Sequence, residues 1–218
     1  MEYGIREHAL LWGLLVKNSC EILGDAEGRK ILGEAVYAYG HGRGKRMAET
    51  AESLGLKNDM TAFFLCGEWK GKEGENISES ILKEKESGSV VHRCRWYDTW
   101  IEEGLQEYGP LYCAYVDQGI CDGFDGGFGL TIEQSKGRGD ETCRFCWSAP
   151  CDSQRLAELR SVYKDSLIKP FSFHCQDLLK AVREALQKQA PARAEQILQQ
   201  TKTDFMQRTA PESAELFS

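Results

Sequence analysis

The chain has 218 residues, 41% of them hydrophobic and 28% charged, and a formal net charge of −7. That is an ordinary globular composition, long enough for one core or two small domains. The acidic balance sets up no field that attracts phosphates, which argues against nucleic acid and anionic membrane as partners.

The first apolar run, Ala9–Val16, is far shorter than the roughly 20 residues that cross a bilayer. Arg6 precedes it as in a signal sequence, but Lys17, Asn18, Ser19 and Cys20 follow in place of a small-residue cleavage site, so an amphipathic first helix is expected. That helix is placed over 5–23, with Leu10, Leu11, Leu14, Leu15 and Ile22 at helical spacing, Gly24 to stop it and Asp25 to cap the next. Helices over 26–39 and 44–54 are predicted on either side of a connection at Gly40-His41-Gly42-Arg43-Gly44. Asn58-Asp59 is placed to cap a short helix leading into Phe63, Phe64 and Trp69. Gly40–Gly44 lacks the preceding strand and the Lys-Ser/Thr ending of a phosphate loop.

From residue 77 the period changes. Ser78–Glu86 and Ser89–Trp96 read as a hairpin turning at Ser87-Gly88, followed by a helix over Tyr97–Tyr108. Gly109-Pro110 opens another helix, with Leu111, Ala114, Tyr115 and Gln118 on one side. Phe128–Lys136 and Thr142–Ser148 form a second hairpin, whose return strand puts Cys143, Phe145 and Trp147 on one face and Thr142, Arg144 and Cys146 on the other. After Pro150 the chain turns helical, and from Pro191 a sparse apolar face (Ile197, Leu198, Phe205) predicts a peripheral helix, an oligomer contact or a frayed tail. The fold class is therefore α+β: a helical part over 1–76, a small antiparallel sheet of two hairpins with inserted helices over 77–150, and C-terminal helices over 151–218.

Four pieces of sequence stand in register within this middle part: Val91-His92-Arg93-Cys94, Leu111-Tyr112-Cys113-Ala114-Tyr115-Val116-Asp117, Gly123-Phe124, and Gly139-Asp140-Glu141-Thr142-Cys143-Arg144-Phe145. Their order and gaps resemble the L-2-amino-thiazoline-4-carboxylic acid hydrolases, in which an Arg-Cys strand, a Cys-x-x-x-Asp helix start, a Gly-Phe and a Gly-Asp-x-x-Cys-Asp-Phe strand recur. The resemblance implies a bacterial enzyme that hydrolyses a small cyclic, carboxylate-bearing amidine-like ring to a carbamoyl-cysteine. It also implies roles for Cys94, Cys113 and Cys143, and an Asp140 directed at the site. One departure is visible, because the family's Cys-Asp-Phe is here Cys143-Arg144-Phe145. A small-molecule or metal-binding sensor module of the vinyl-reductase type, which also ends in a Gly…Cys-x-Phe strand, is the rival reading.

Ring opening requires attack on the sp² carbon between nitrogen and sulfur, then protonation of the leaving atom. A cysteine thiolate with a carboxylate handling protons would serve, as would hydroxide on a divalent metal. Cys113 and Asp117 are i and i+4 on a helix and share a face, with Cys121 one turn further on. The helix start favours a thiolate at Cys113 and the neighbouring carboxylate opposes it. Cys113 is therefore expected as nucleophile and Asp117 as acid/base. Arg93 and Arg144 have two readings, a clamp on a substrate carboxylate or a solvated strand face, and Arg95 is like Arg93. Asp140 either bonds its own turn or faces the site. His92, two residues before Cys94, is expected on the same strand face. Cys143-x-x-Cys146 should diverge across the strand, which disfavours a zinc knuckle, and the choice of metal stays open. Nine cysteines, an odd number, fit the reduced thiols of a cytoplasmic protein acting on a small molecule.

Overall fold

A computed structural model describes residues 2–82, 85–163 and 165–217. In chain order the elements are α1 (Ile5–Leu23), α2 (Asp25–Ser53), α3 (Met60–Leu65), β1 (Asn76–Leu82), β2 (Ser87–Cys94), α4 (Arg95–Glu102), α5 (Leu111–Phe124), β3 (Leu130–Gln134), β4 (Cys143–Trp147), α6 (Ser153–Tyr163), α7 (Phe171–Gln189) and α8 (Pro191–Arg208), with short 3₁₀ turns at Lys136–Arg138 and Pro211–Phe217. The class is α+β. The chain forms two compact units, each assembled from separate stretches: Met1–Tyr39, Arg95–Tyr115 and Pro170–Ser218 in the first, Gly40–Cys94 and Val116–Lys169 in the second. No helix among the described residues is long and apolar enough to cross a membrane.

The described elements of the first unit are all helical. Leu10, Leu11, Leu14 and Leu15 are fully buried, as are Ile5, Ala9 and Trp12, so α1 is apolar nearly all round and needs partners on several sides. α4, α7 and α8 supply them. Trp100 of α4 donates its indole N–H to the Ala9 carbonyl at 2.9 Å, and Trp12 donates to the Gly109 carbonyl at 3.0 Å. Asn18 of α1 reaches Thr201 and Asp204 of α8, each at 3.1 Å. The C-terminal helix is consequently core and not a frayed tail: Ile197, Leu198 and Phe205 are all buried.

A polar chain runs through this aromatic core. The Trp96 indole N–H donates to His8 Nδ1 at 3.1 Å, which leaves the proton of a neutral His8 on Nε2, facing the Tyr39 hydroxyl at 3.3 Å. That hydroxyl can then donate to His174 Nδ1 at 3.5 Å. Both histidines and Tyr39 are buried. Tyr39→Phe removes the shared hydroxyl without changing the ring, and is expected to cost about 1–3 kcal/mol. Urea denaturation would measure it.

The second unit carries the sheet, in the order β1-β2-β4-β3 with every neighbour antiparallel, so the two predicted hairpins join through β2 and β4. The first hairpin turns earlier than expected. Ser87 and Gly88 lie inside β2, paired with Leu82 and Ile81, so they do not form the turn; residues 83 and 84 lie outside the described residues. Ser87 and Gly88 are buried in the ladder, and a Cβ on Gly88 would stand 3.0 Å from the Phe145 carbonyl oxygen. Arg95 and Trp96 begin α4 instead of ending the strand, and α4 stops at Glu102 rather than reaching Tyr108.

Candidate active site

The expected connection at Gly40–Gly44 does not exist: α2 is one helix of 29 residues that runs straight through it. Gly40 and Gly44 are there for a different reason. A Cβ on Gly40 would stand 2.4 Å from the Val116 carbonyl oxygen, and one on Gly44 would stand 2.1 Å from that of Ile120. On the α5 side, a Cβ on Gly123 would stand 2.0 Å from the His41 carbonyl oxygen. In the second unit the two helices therefore touch backbone to backbone. Arg43 shares the Gly40/Gly44 stripe, and Asp117 lies between the two α5 contacts, so both side chains flank one seam.

Arg43 is only 4% exposed. Its Nε lies 3.5 Å from Glu68 Oε2, and Arg46 holds both oxygens of the same carboxylate, at 2.9 and 3.0 Å. Two guanidiniums on one carboxylate leave this trio with a net positive charge beside Asp117. Asp117 keeps some solvent contact, but protein closes round its carboxyl. Burial raises its pKa to about 6, with the Arg43 charge pulling the other way.

Across from α5, strand β4 presents alternate residues as expected. Cys143 and Trp147 are buried, and Phe145 stacks on Trp147. The Trp147 indole N–H donates to Cys121 Sγ at 3.3 Å, and the ring meets Phe64 edge-on with 5.2 Å between centroids. Cys143 Sγ accepts the Lys136 backbone N–H at 3.3 Å. Burial raises the thiols of both cysteines, Cys121 to about 12, and the Asp117 charge pushes each further the same way. They are thiols, not thiolates, at neutral pH. Cys146 is on the other face, with Sγ 3.8 Å from Glu86 Oε2, so the Cys-x-x-Cys pair diverges. Among the described residues no group of three His, Cys, Asp or Glu side chains is arranged to hold a metal.

Cys94 reaches the Cys143 face through an irregularity. Val91 pairs with both Cys143 and Ser78, yet Arg93 pairs with Ile77, so β2 holds one residue more than β1 at His92. This bulge puts His92 and Arg93 together on the exposed side and returns Cys94, opposite Asn76, to the face that carries Cys143. His92 and Cys94 do not share a face, contrary to the simple alternation. His92 instead lies 3.4 Å from Glu79. Arg93 donates to the Gly74 carbonyl at 3.0 Å, Arg144 lies 3.8 Å from Glu133 on the exposed face, and Arg95 pairs with Glu102 at 2.7 Å. Asp140 accepts the Ser135 backbone N–H at 2.7 Å, which is the local turn bond. The structure thus brings Asp117 and Cys143 together, sets Cys94 on the same side of the sheet, and leaves Arg93 and Arg144 on the other. Cys113 belongs to the first unit, one turn before Asp117 along α5.

The profile of one family, described as L-2-amino-thiazoline-4-carboxylic acid hydrolase, matches residues 3–147. The chain belongs to that family. A search among curated proteins gives no match. The match takes in α1 through β4 and so covers every residue of the Asp117 cluster, while α6, α7 and α8 lie beyond it. The hydrolase family's description names a thiazoline carboxylate as the compound acted on. Arg144, the departure from the family's acid, sits on the exposed side of β4, away from Cys143. Arg43 is marked in the sequence only indirectly. Glycines at i and i+4 mark a helix seam as readily as a break, and a cation between them on the same stripe lies at that seam.

Proposed function

We propose that the chain hydrolyses a small cyclic amidine carrying a carboxylate, of the aminothiazoline-carboxylate type, to a carbamoyl-cysteine. The observation that carries this reading is Asp117, a carboxyl enclosed by protein beside a buried thiol, in a member of a family named for hydrolysis of a thiazoline carboxylate. A carboxyl with a pKa of about 6 is ionised at neutral pH yet basic enough to take a proton from water in the transition state. Asp117 accepts that proton as the water oxygen bonds to the ring carbon between nitrogen and sulfur. When the tetrahedral adduct collapses to the carbonyl, the ring bond breaks, the proton held by Asp117 passes to the leaving atom, and the adduct's hydroxyl proton goes to the nitrogen that had been doubly bonded to the attacked carbon. Cys143 keeps its own proton and serves as a hydrogen-bond donor on the β4 side. A thiolate route through Cys113 or Cys94 would share the same acid/base.

The test is direct. Purified protein incubated with L-2-amino-thiazoline-4-carboxylate should release a carbamoyl-cysteine, followed by mass spectrometry. Full turnover by Cys113→Ser and Cys94→Ser is the result expected for attack by water, and a carbamoyl adduct trapped on either cysteine would replace that route with the thiolate one. No product under any condition would remove the hydrolase reading.

A further inference from the structure

Three elements surround the Asp117 carboxyl. Arg43 approaches from α2, Cys121 lies on the same helix α5, and Cys143 faces it from β4, with Lys136 beside Cys143 and with Glu68 and Arg46 behind Arg43. The thiols are held protonated by burial and contribute dipoles, not charge. The positive field at Asp117 comes mainly from Arg43, whose position is over-determined. Its helix is pressed against α5 at Gly40 and Gly44, and its guanidinium is tied to a carboxylate that Arg46 also grips. Arg46 holds both Glu68 oxygens at 2.9 and 3.0 Å, and Arg43 Nε stands 3.5 Å from one of them.

We infer that Arg43 is the positioning residue of this site, presenting its guanidinium charge across the α2–α5 seam so that Asp117 is an ionised base at neutral pH. Without that charge, burial alone would govern the carboxyl and hold it protonated, and the base would be missing at the pH where it is needed. The glycines belong to the same device, because any side chain at Gly44 would widen the seam and weaken the coupling. The inference rests on the hydrolase reading for its purpose, but its physical content is the ionisation of one carboxyl, which is measurable without turnover.

The experiment is a pH titration of ¹³C-labelled aspartate carboxyls by NMR, with Asp117 assigned from its loss in Asp117→Asn, alongside the pH profile of kcat/KM. Arg43→Gln should raise the Asp117 midpoint by about one pH unit or more and move the acid limb of the profile up by the same amount. Arg43→Lys, which keeps the charge, should restore most of the shift. Glu68→Gln should act in the opposite direction and lower the midpoint, since it removes the charge that partly neutralises Arg43. Loss of packing alone would move both variants the same way, which keeps the inference testable even if Arg43→Gln folds poorly. An unmoved midpoint in folded Arg43→Gln, or a midpoint that rises in Glu68→Gln, overturns the role. Absence of turnover in the unmodified protein would instead sink the hydrolase reading and leave the titration to decide on Arg43.

Discussion

Asp117→Asn is expected to lower turnover of the ring substrate by about 10²–10⁴-fold and, at pH 8, to make the protein more stable. The two effects have one cause. General acid–base catalysis by a positioned side chain contributes a factor of that size, and an amide can neither take the proton from water nor return it to the leaving atom. In the unmodified protein the base must be ionised, so kcat/KM should rise through about pH 6 and level off above it. The stability effect follows from the same raised pKa, taken with its sign. A carboxyl whose folded pKa lies above its unfolded value of 3.8 binds its proton more tightly when folded. Folding is therefore unpenalised below about pH 4, loses stability as pH rises through the window from about 4 to 6, and carries the whole cost above it. At 1.4 kcal/mol per pH unit this amounts to roughly 3 kcal/mol at most. Part of any gain on removing it is returned, because Arg43 loses a neighbouring negative charge. A net gain of a few degrees in melting temperature at pH 8, absent at pH 4, is the expected pattern. Equal melting temperatures of the two proteins at pH 8 would mean that the carboxyl is well solvated and not poised as a base.

The elements read correctly from sequence are those whose determinants are local. The leucine spacing of α1 and its stop at Gly24, with φ of 91°, need no partner to be recognised. The Asp59 cap of α3, which accepts the Ala62 N–H at 3.0 Å, lies three residues from its target. Divergence of Cys143 and Cys146 follows from strand geometry alone. What stayed hidden depends on residues far away in the chain. Gly40, Gly42 and Gly44 carry the usual signature of a break, and only the α5 backbone, more than seventy residues later, explains glycine at Gly40 and Gly44. The extra residue at His92 has no local signature, yet it decides which side of the sheet receives Cys94 and which receives Arg93. Arg43 is illegible for the same reason, since its meaning depends on Glu68 and Asp117. The sparse face of α8 reads as peripheral until α1 is seen to be apolar on nearly every side.

The seam itself gives the second large effect, with a built-in control two residues away. In a helix interior, Gly→Ala normally stabilises by up to about 1 kcal/mol, because alanine restricts the unfolded chain and glycine does not. At Gly42 the added Cβ would meet only the end of the Arg46 side chain, at 3.7 Å, so Gly42→Ala should show that ordinary gain. At Gly44 the same methyl would lie 2.1 Å from the Ile120 oxygen, 2.7 Å from the Phe124 nitrogen and 2.9 Å from the Gly123 carbonyl carbon. All three are main-chain atoms of α5, which cannot rotate aside as a side chain would. Relief requires the two helices to separate by more than 1 Å, with loss of packing along the contact, and overpacking of this kind costs about 1–3 kcal/mol or more. The two substitutions, identical in chemistry and in helix propensity, are thus expected to have opposite signs in urea denaturation, differing by at least about 2 kcal/mol. Because Arg43 and Asp117 flank the opened seam, Gly44→Ala should also raise the Asp117 midpoint, whereas Gly42→Ala should leave it in place. If the two alanines proved equivalent in stability, close approach of α2 and α5 would not be what these glycines provide, and the geometric basis for pairing Arg43 with Asp117 would go with it.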